Sequence, residues 1–268
     1  MKKVAVLTSG GDCAGLNACL RSITKTLSRH SVSVLGIPNG TEGLLSKAPP
    51  LDLSAIPDFM WQFYTRQNGT LLGALNTKNP ERYPNPDGSF TDRSSEIIER
   101  LEALGVQTLI ATGGDGSHKI LSRILRKSNI RYIAIPKTID NDLPLTDNCP
   151  GFGSVAKYVA ISTKEAAMDV KSMCETSTKV FILEVMGRHA GWIAAAAGLA
   201  AENKGDAPHI ILFPEVVFEK EKFLAKVNST IRRNGHCVIV ASEGARYKDG
   251  TFLSDSGVRD AFGHAQLG

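Results

Sequence analysis

The stretch "VQTLIATGGDGSHKILSRILRKSNIRYIAIPKT" (residues 106–138) decides the fold, because it reads as a strand, a glycine-rich turn, a helix and a second strand. The strand-like runs, 106–114 and 130–138, are largely apolar, which is typical of parallel strands covered on both faces. The segment between them, 118–127, has apolar residues at helical spacing. This unit predicts a parallel sheet.

The same alternation continues in both directions along the chain. Further strands are predicted at 4–9, 32–37, 179–187, 209–215 and 237–244, and further helices at 16–30, 94–105, 155–174, 190–203 and 219–235. Ser94 is the expected N-cap of the helix 94–105, and Gly105 is expected to end it. Two irregular stretches, 38–56 and 76–95, are long for connections in an α/β protein and are predicted to be functional loops or lids.

The composition of the 268-residue chain excludes several classes of protein. Apolar residues make up 42% and charged residues 22%, and the net charge of +4 comes without a basic cluster that would bind nucleic acid. No apolar run approaches the roughly 20 residues of a membrane span, and the N-terminal run is too short for a signal peptide. Five cysteines without a CxxC pair indicate neither a disulfide framework nor a zinc site, so a cytoplasmic location is expected.

Glycines and charged residues follow five of the predicted strands. The segments are "SGGDCAGLN" (9–17), "GGDGS" (113–117), "KTIDND" (137–142), "MGRHAG" (186–191) and "SEGAR" (242–246). Ligands of open parallel sheets bind beyond the carboxyl ends of the strands. The pattern therefore predicts a phosphate-and-metal site at that edge.

The first two segments have the residue types of a phosphate site. Gly10, Gly11 and Gly15 would let backbone N–H groups approach an anion at a helix start. Asp115 could hold Mg²⁺ that bridges phosphate oxygens, and Ser117 could bind the phosphates themselves. The alternatives are an ordinary strand-to-helix turn and, for Asp115, a helix N-cap.

The later segments carry candidate catalytic groups. Asp140 and Asp142 could accept the proton of a hydroxyl that attacks phosphorus, or could only cap the next segment through Asx turns. Arg188 could clamp a phosphate, since its guanidinium is a planar fork. His189 is more commonly an ordinary loop or core histidine, and Glu243 could bind sugar hydroxyls or be a solvated acid.

The motifs together resemble the 6-phosphofructokinase family, of the A type. The resemblance rests on "LTSGGDCAGLN", "NGTLLG", "GGDGS", "PKTIDND", "GFGSVAKY", "EVMGRHAGWIA", "PE" at 214–215, "ASEGA" and "GHAQLG", in that order. It implies an α/β protein of two Rossmann-like three-layer domains with the active site between them. Residues 1–150 would bind the phosphoryl donor and residues 151–265 fructose 6-phosphate. It also implies a homodimer or homotetramer that contains no nucleic acid or membrane partner.

The resemblance also assigns roles. Asp140 would be the general base and Asp115 the Mg²⁺ residue, and Lys137, Thr138 and Arg188 would act with Asp140 in catalysis. The donor would lie against Gly11, Gly114, Asp115, Gly116, Ser117, Asn76 and Lys78. The sugar phosphate would lie against Thr138, Ile139, Asp140, Met186, Gly187, Arg188, Glu243 and His264. Lys179 is also assigned to the sugar phosphate, since it stands where ATP-using bacterial members place an arginine that reaches the sugar phosphate of a neighbouring subunit.

Three positions bear on the phosphoryl donor in this family. Gly116 leaves room for the α-phosphate of a nucleotide, whereas Lys137 and Leu267 are typical of pyrophosphate users. A carboxylate at 116 would repel a nucleotide, while a lysine suits either donor, so we favour ATP with pyrophosphate as the alternative. An NAD or lipid kinase, or a non-catalytic sugar-phosphate-binding protein, is a more remote possibility. Because the chain stops at Gly268 inside the last motif, a C-terminal remainder is expected beyond it.

Overall fold

A computed structural model describes residues 2–75, 77–259 and 265–267. The strands are β1 (Lys3–Thr8), β2 (Ser33–Gly36), β3 (Leu51–Asp52), β4 (Tyr83–Pro84), β5 (Phe90–Thr91), β6 (Thr108–Gly113), β7 (Arg131–Pro136), β8 (Val180–Val185), β9 (Ile210–Leu212), β10 (Cys237–Ser242), β11 (Asp255–Arg259) and β12 (Ala265–Leu267). The helices are α1 (Leu16–Ser28), α2 (Thr41–Leu45), α3 (Asp58–Tyr64), α4 (Ser94–Ala103), α5 (Asp115–Leu125), α6 (Phe152–Met173), α7 (Trp192–Ala196) and α8 (Lys220–Asn234). Two short 3-10 helices lie at Leu53–Ala55 and Ala197–Ala200.

The described chain forms two compact units. The first comprises Met1–Thr138 with Cys149–Gly151, and the second comprises Ile139–Asn148 with Phe152–Gly268. The first contains a five-stranded sheet of order β3-β2-β1-β6-β7, parallel except for the antiparallel edge strand β3. The second contains a parallel three-stranded sheet of order β8-β10-β9. This mixed α/β, mostly parallel architecture confirms the predicted fold class.

Both faces of the first sheet are buried, because alternate residues of a strand point to opposite faces. Ala5 and Leu7 of β1 belong to a core with helices α4 and α5, whereas Val4 and Val6 belong to a second core with Leu20 of α1. Trp61 of α3 is fully buried in this second core. Helices therefore cover the sheet on two sides, and the carboxyl ends of its strands form the edge available to a ligand.

The second sheet is covered in the same way. Val185 and Val240 pack with Val159 of α6 and Ile193 of α7 on one face. Residues of β9 and β10 pack on the other face with Val227 of α8. Each unit is thus a three-layer arrangement of helices around a sheet.

Several predicted boundaries differ from the structure. The predicted helix 190–203 is a short α-helix followed by a 3-10 turn, and the irregular stretches hold α2, β3 and the β4–β5 hairpin. Arg93, not Ser94, stands at the N-cap of α4, and the Asp92 carboxylate accepts the Ser94 N–H at 2.9 Å. Gly105 does follow α4, with φ of +71°. In the described part of the chain, no helix has the length and apolar content needed to span a bilayer.

Candidate active site

The order of strands in the first sheet reverses at β1. The chain passes from β1 to β2 on one side, whereas β6 lies on the other side of β1 and leads outward to β7. The loops that follow β1 and β6 consequently leave the same edge in opposite directions, and a crevice opens between them. The segments "SGGDCAGLN" and "GGDGS" border that crevice, as the sequence predicts.

The turn between β6 and α5 is closely packed against the loop that follows β1. A methyl group on Gly113 would lie 3.0 Å from the Ser9 carbonyl oxygen and 3.2 Å from Ser117 Cβ, so only glycine fits there without displacement. The Ser9 hydroxyl donates to the Ser117 hydroxyl at 3.0 Å. Gly10 has φ of +85°, in the left-handed region that favours glycine. These contacts fix the position of Ser117 at the crevice, and Ser9 is a residue that sequence reasoning did not single out.

Asp115 and Gly116 begin helix α5 and face solvent. The Asp115 carboxylate is 57% exposed. Its Oδ2 forms an ion pair with Lys119 Nζ, one helical turn later, at 2.6 Å. A methyl group on Gly116 would meet nothing within 4 Å, and its backbone is not left-handed. Unlike Gly113, Gly116 is therefore not required by packing.

Lys137 brings a positive charge to the same loops. It follows β7, its side chain is only 6% exposed, and its ammonium donates to the Gly11 carbonyl oxygen. Its Nζ would lie 3.7 Å from a Cβ on Gly10 and 3.9 Å from one on Gly11. The Lys137 N–H donates to the Gly113 carbonyl at 2.8 Å, which anchors the residue beside β6. Lysine is rarely this buried, and its charge here lies under glycine backbone that an anion can approach.

His118 connects α5 to β7 behind Asp115. Its Nδ1 is 2.6 Å from the Tyr132 hydroxyl and its Nε2 is 3.0 Å from the Ile135 carbonyl oxygen. Burial lowers the pKa of His118 below its usual value, although hydrogen bonds and the charge of Asp115 act in the opposite direction. The neutral imidazole holds the first turn of α5 in place.

Lys78 is already engaged within the first unit. Its ammonium donates to the Tyr83 hydroxyl at 2.9 Å and pairs with Glu42 at 3.2 Å, and these bonds raise its pKa. Asn76, the other predicted donor residue of this loop, lies outside the described residues. The donor roles of both remain predictions.

The predicted base lies where the chain enters the second unit. Thr138 and Asp140 are half-buried and follow β7, and Ile139 packs against the core around Val159. Asn141 has φ of +54° and donates from Nδ2 to the Asp147 carbonyl at 3.0 Å, which closes the loop. Asp142 is exposed.

The loop that follows β8 carries Arg188. It is hydrogen-bonded to, and closely packed against, the end of β10 and the loop that follows it. The Ser242 hydroxyl donates to the Gly187 carbonyl at 2.6 Å, and a methyl group on Gly244 would lie 2.1 Å from the Arg188 carbonyl oxygen. Gly187 has φ of +119°, which requires glycine. Met186 is exposed, and Glu243 is half-buried beside this loop. The structure thus brings Met186, Gly187, Arg188 and Glu243 together, and their contact with a sugar stays a prediction.

Lys179, which is predicted to reach the sugar phosphate of a neighbouring subunit, lies at the other edge of the second sheet, and this role stays a prediction. Lys179 precedes β8, at the opposite end of the strand from Met186, and its ammonium donates to the Cys174 carbonyl oxygen. Lys179 and Met186 are seven residue steps apart along an extended strand, which places them about 23 Å from each other. His264 lies outside the described residues, as does Gly268.

Comparisons with known proteins identify the family to which the chain is similar. A family model described as phosphofructokinase matches residues 3–266. The pyrophosphate–fructose 6-phosphate 1-phosphotransferase of Halomonas elongata is 43% identical over 97% of this chain and 62% of its own length. The ATP-dependent 6-phosphofructokinase 1 of Nostoc sp. is 39% identical over 94% of this chain and 68% of its own length.

A solved structure supports the same relation. The crystal structure of the pyrophosphate-dependent phosphofructokinase from Marinobacter aquaeolei matches 92% of this chain and 62% of its own, with a TM-score of 0.78 and 42% identity. The chain therefore spans less than two thirds of the pyrophosphate-type relatives from Halomonas and Marinobacter, at 62% of each.

Proposed function

The chain belongs to the phosphofructokinase family, and we propose that it transfers a phosphoryl group from inorganic pyrophosphate to the 1-hydroxyl of fructose 6-phosphate. The observation that carries the choice of donor is Lys137, a buried ammonium under the glycines that follow β1. Pyrophosphate is short, so a single fixed ammonium can lie near both of its phosphate groups and attract them. The pyrophosphate-type names of the relatives at 43% and 42% identity also favour this donor over ATP, so the expectation of ATP that rests on Gly116 is the less supported one.

In this proposal residues 1–150 bind the donor and residues 151–265 bind the sugar phosphate. The Asp140 carboxylate accepts the proton of the 1-hydroxyl as its oxygen attacks phosphorus, and the bridging P–O bond of pyrophosphate breaks to release inorganic phosphate. Lys137, Thr138 and Arg188 stabilise the charge that develops on the transferred group. Met186, Gly187 and Glu243 contact the sugar.

A magnesium ion fits the donor set if the substrate supplies most of its ligands. Among the described residues, no three His, Cys, Asp or Glu side chains could hold a metal ion together. Mg²⁺ commonly binds through one or two carboxylates plus substrate phosphates and waters, and Asp115 offers one exposed carboxylate. When bound, Mg²⁺ neutralises phosphate charge. The Asp115 carboxylate would bind the ion, and its ion pair with Lys119 would either be replaced by the ion or be kept beside it.

ATP is the second candidate donor. Gly116 presents open space at the start of α5, and an ATP-dependent relative is 39% identical to the chain. A longer donor could extend past this position without meeting a side chain. The observation favours tolerance of ATP rather than preference for it.

A coupled assay tests the proposal directly. The chain is supplied with fructose 6-phosphate, Mg²⁺ and either pyrophosphate or ATP, and fructose 1,6-bisphosphate is measured. We expect turnover with pyrophosphate at least tenfold faster than with ATP, and phosphate-dependent formation of pyrophosphate in the reverse direction. Turnover with ATP alone would assign the second candidate, and inactivity with both donors would remove the proposed function from this chain.

A further inference from the structure

The loop that carries Arg188 is fixed at its far end by an acid from a different strand. Gly191, the last residue of "MGRHAG", donates its N–H to Glu215 Oε1 at 2.8 Å. Glu215 follows β9 in sequence, after Phe213 and Pro214. The bond therefore joins segments that are 24 residues apart in the chain.

Close packing leaves no alternative position for this end of the loop. A methyl group on Gly191 would lie 2.6 Å from the Phe213 ring and 2.9 Å from Glu215 Oε2. The backbone of Gly191 is thus pressed against the segment that follows β9, and its N–H has the carboxylate directly beside it. The Gly191 carbonyl in turn accepts the Ala195 N–H at 2.8 Å and so starts helix α7.

Arg188 lies between this anchor and the one supplied by the loop after β10. Ser242 and Gly244 hold the backbone of Gly187 and Arg188, and Glu215 holds Gly191 three residues later. Because β8 and β9 flank β10, the loop crosses the sheet edge over about 10 Å and is held from both of the other strands. A backbone that is fixed on both sides limits the directions that the long arginine side chain can take.

We propose that Glu215 is a positioning residue that acts through Gly191 to aim Arg188 at the phosphoryl group. This inference rests on the proposed function, since it assigns Arg188 to the reacting phosphate. In this role Glu215 would act through the backbone of Gly191 and would not touch the substrate. Its carboxylate accepts one backbone N–H, and loss of that acceptor frees the distal end of the loop while the anchor at Ser242 remains.

The test compares Glu215→Ala with Glu215→Gln in the pyrophosphate assay. Removal of the acceptor is expected to lower kcat about tenfold and to leave the KM for pyrophosphate within about twofold. Glutamine keeps an amide oxygen at the same position and is expected to retain at least half of the wild-type kcat. Asp249→Ala serves as the matched control, because Asp249 also accepts a backbone N–H, from Thr251 at 2.9 Å, in an exposed turn.

A double-variant cycle distinguishes positioning from a purely structural role. If Glu215 acts through Arg188, then Glu215→Ala should have little further effect in an Arg188→Ala background. Full additivity of the two losses would overturn the inference, as would an unchanged kcat in Glu215→Ala. Both of these overturning results can be obtained only if the wild-type chain is active. They are therefore distinguishable from failure of the proposed function, which would appear as an inactive wild-type chain.

Discussion

Replacement of Lys137 by methionine tests the feature on which the choice of donor depends. Methionine keeps an unbranched side chain of similar length at this buried position and removes the ammonium that bonds to the Gly11 carbonyl. Because a buried charge is costly and a thioether is not, we expect the fold to remain intact. The lost quantity is the attraction between the ammonium and the donor phosphates.

The magnitude follows from the position of Nζ under the glycine loop. Two unit charges about 4 Å apart attract by about 4 kcal/mol at an effective dielectric constant of 20 and by about 1 kcal/mol in water. Lys137 is 6% exposed, but the phosphates would lie against solvent, so we take ~2–3 kcal/mol. That value corresponds to a rise of about 30- to 150-fold in the KM for pyrophosphate.

The assay measures KM and kcat for pyrophosphate at saturating fructose 6-phosphate, with thermal unfolding recorded in parallel. Lys127→Met, which removes an exposed ammonium from the same unit, is the control and should leave the KM unchanged. A KM for pyrophosphate within threefold of wild type, in a variant that unfolds at the wild-type temperature, would refute the role of Lys137 in donor binding.

Three other predictions follow from the described geometry. Gly116→Asp should reduce the rate of any turnover with ATP about tenfold or more, whereas Gly116→Asn should not. The open space at 116 admits either side chain, and only the carboxylate repels a nucleotide. Equal losses of turnover in the two variants would show a steric effect. Asp140→Asn should lower kcat by about 10²- to 10⁴-fold with little change in the KM for fructose 6-phosphate. The control is Asp142→Asn, two residues on and exposed, whose kcat should stay within about threefold of wild type. Similar kcat values for both variants would exclude Asp140 as the base. Burial raises the pKa of Cys13 from 9.0 to about 11, so the folded state retains this proton more tightly, and the resulting stability is complete below pH 9 and is lost as the pH rises through 11. Thermal unfolding between pH 8 and 11 should show a smaller decline in Cys13→Ala, and a parallel decline in both proteins would contradict this assignment.

The sequence predicts the parts of the fold that depend on periodicity. Strand β6 and helix α5 are recognisable in 106–127 because an apolar run and a helical repeat meet at glycines. The β4–β5 hairpin and α3 were missed, since they are too short to show a repeat and Trp61 is buried through tertiary packing alone. The N-cap of α4 is predicted one residue too late, at Ser94 and not at Arg93, because serine is a good capping residue type and arginine is not.

For the candidate site too, some features are predictable from the sequence and others depend on tertiary contacts. The topology rule predicts that "GGDGS" and the loop after β1 meet, and they do. The links made by Ser9 and Glu215 join residues that are distant in sequence, and serine and glutamate in such loops are not distinctive. The pair "PE" after β9 was the one available signal for Glu215. What its carboxylate binds depends on how β8, β9 and β10 are ordered, which the sequence does not specify.

The reversal of strand order at β1 has an evolutionary consequence. The crevice between the loops after β1 and β6 is a product of backbone connectivity, so it exists whatever side chains line it. Gly116 fits that crevice without a packing requirement, and Lys137 enters it from the adjacent strand. Under the proposed function, a lineage can therefore change its preference between phosphoryl donors by substitution at a few such positions, and at Gly116 without any steric clash in the fold. Relatives named for pyrophosphate and for ATP, at 43% and 39% identity to one chain, are what descent on such a scaffold would leave behind.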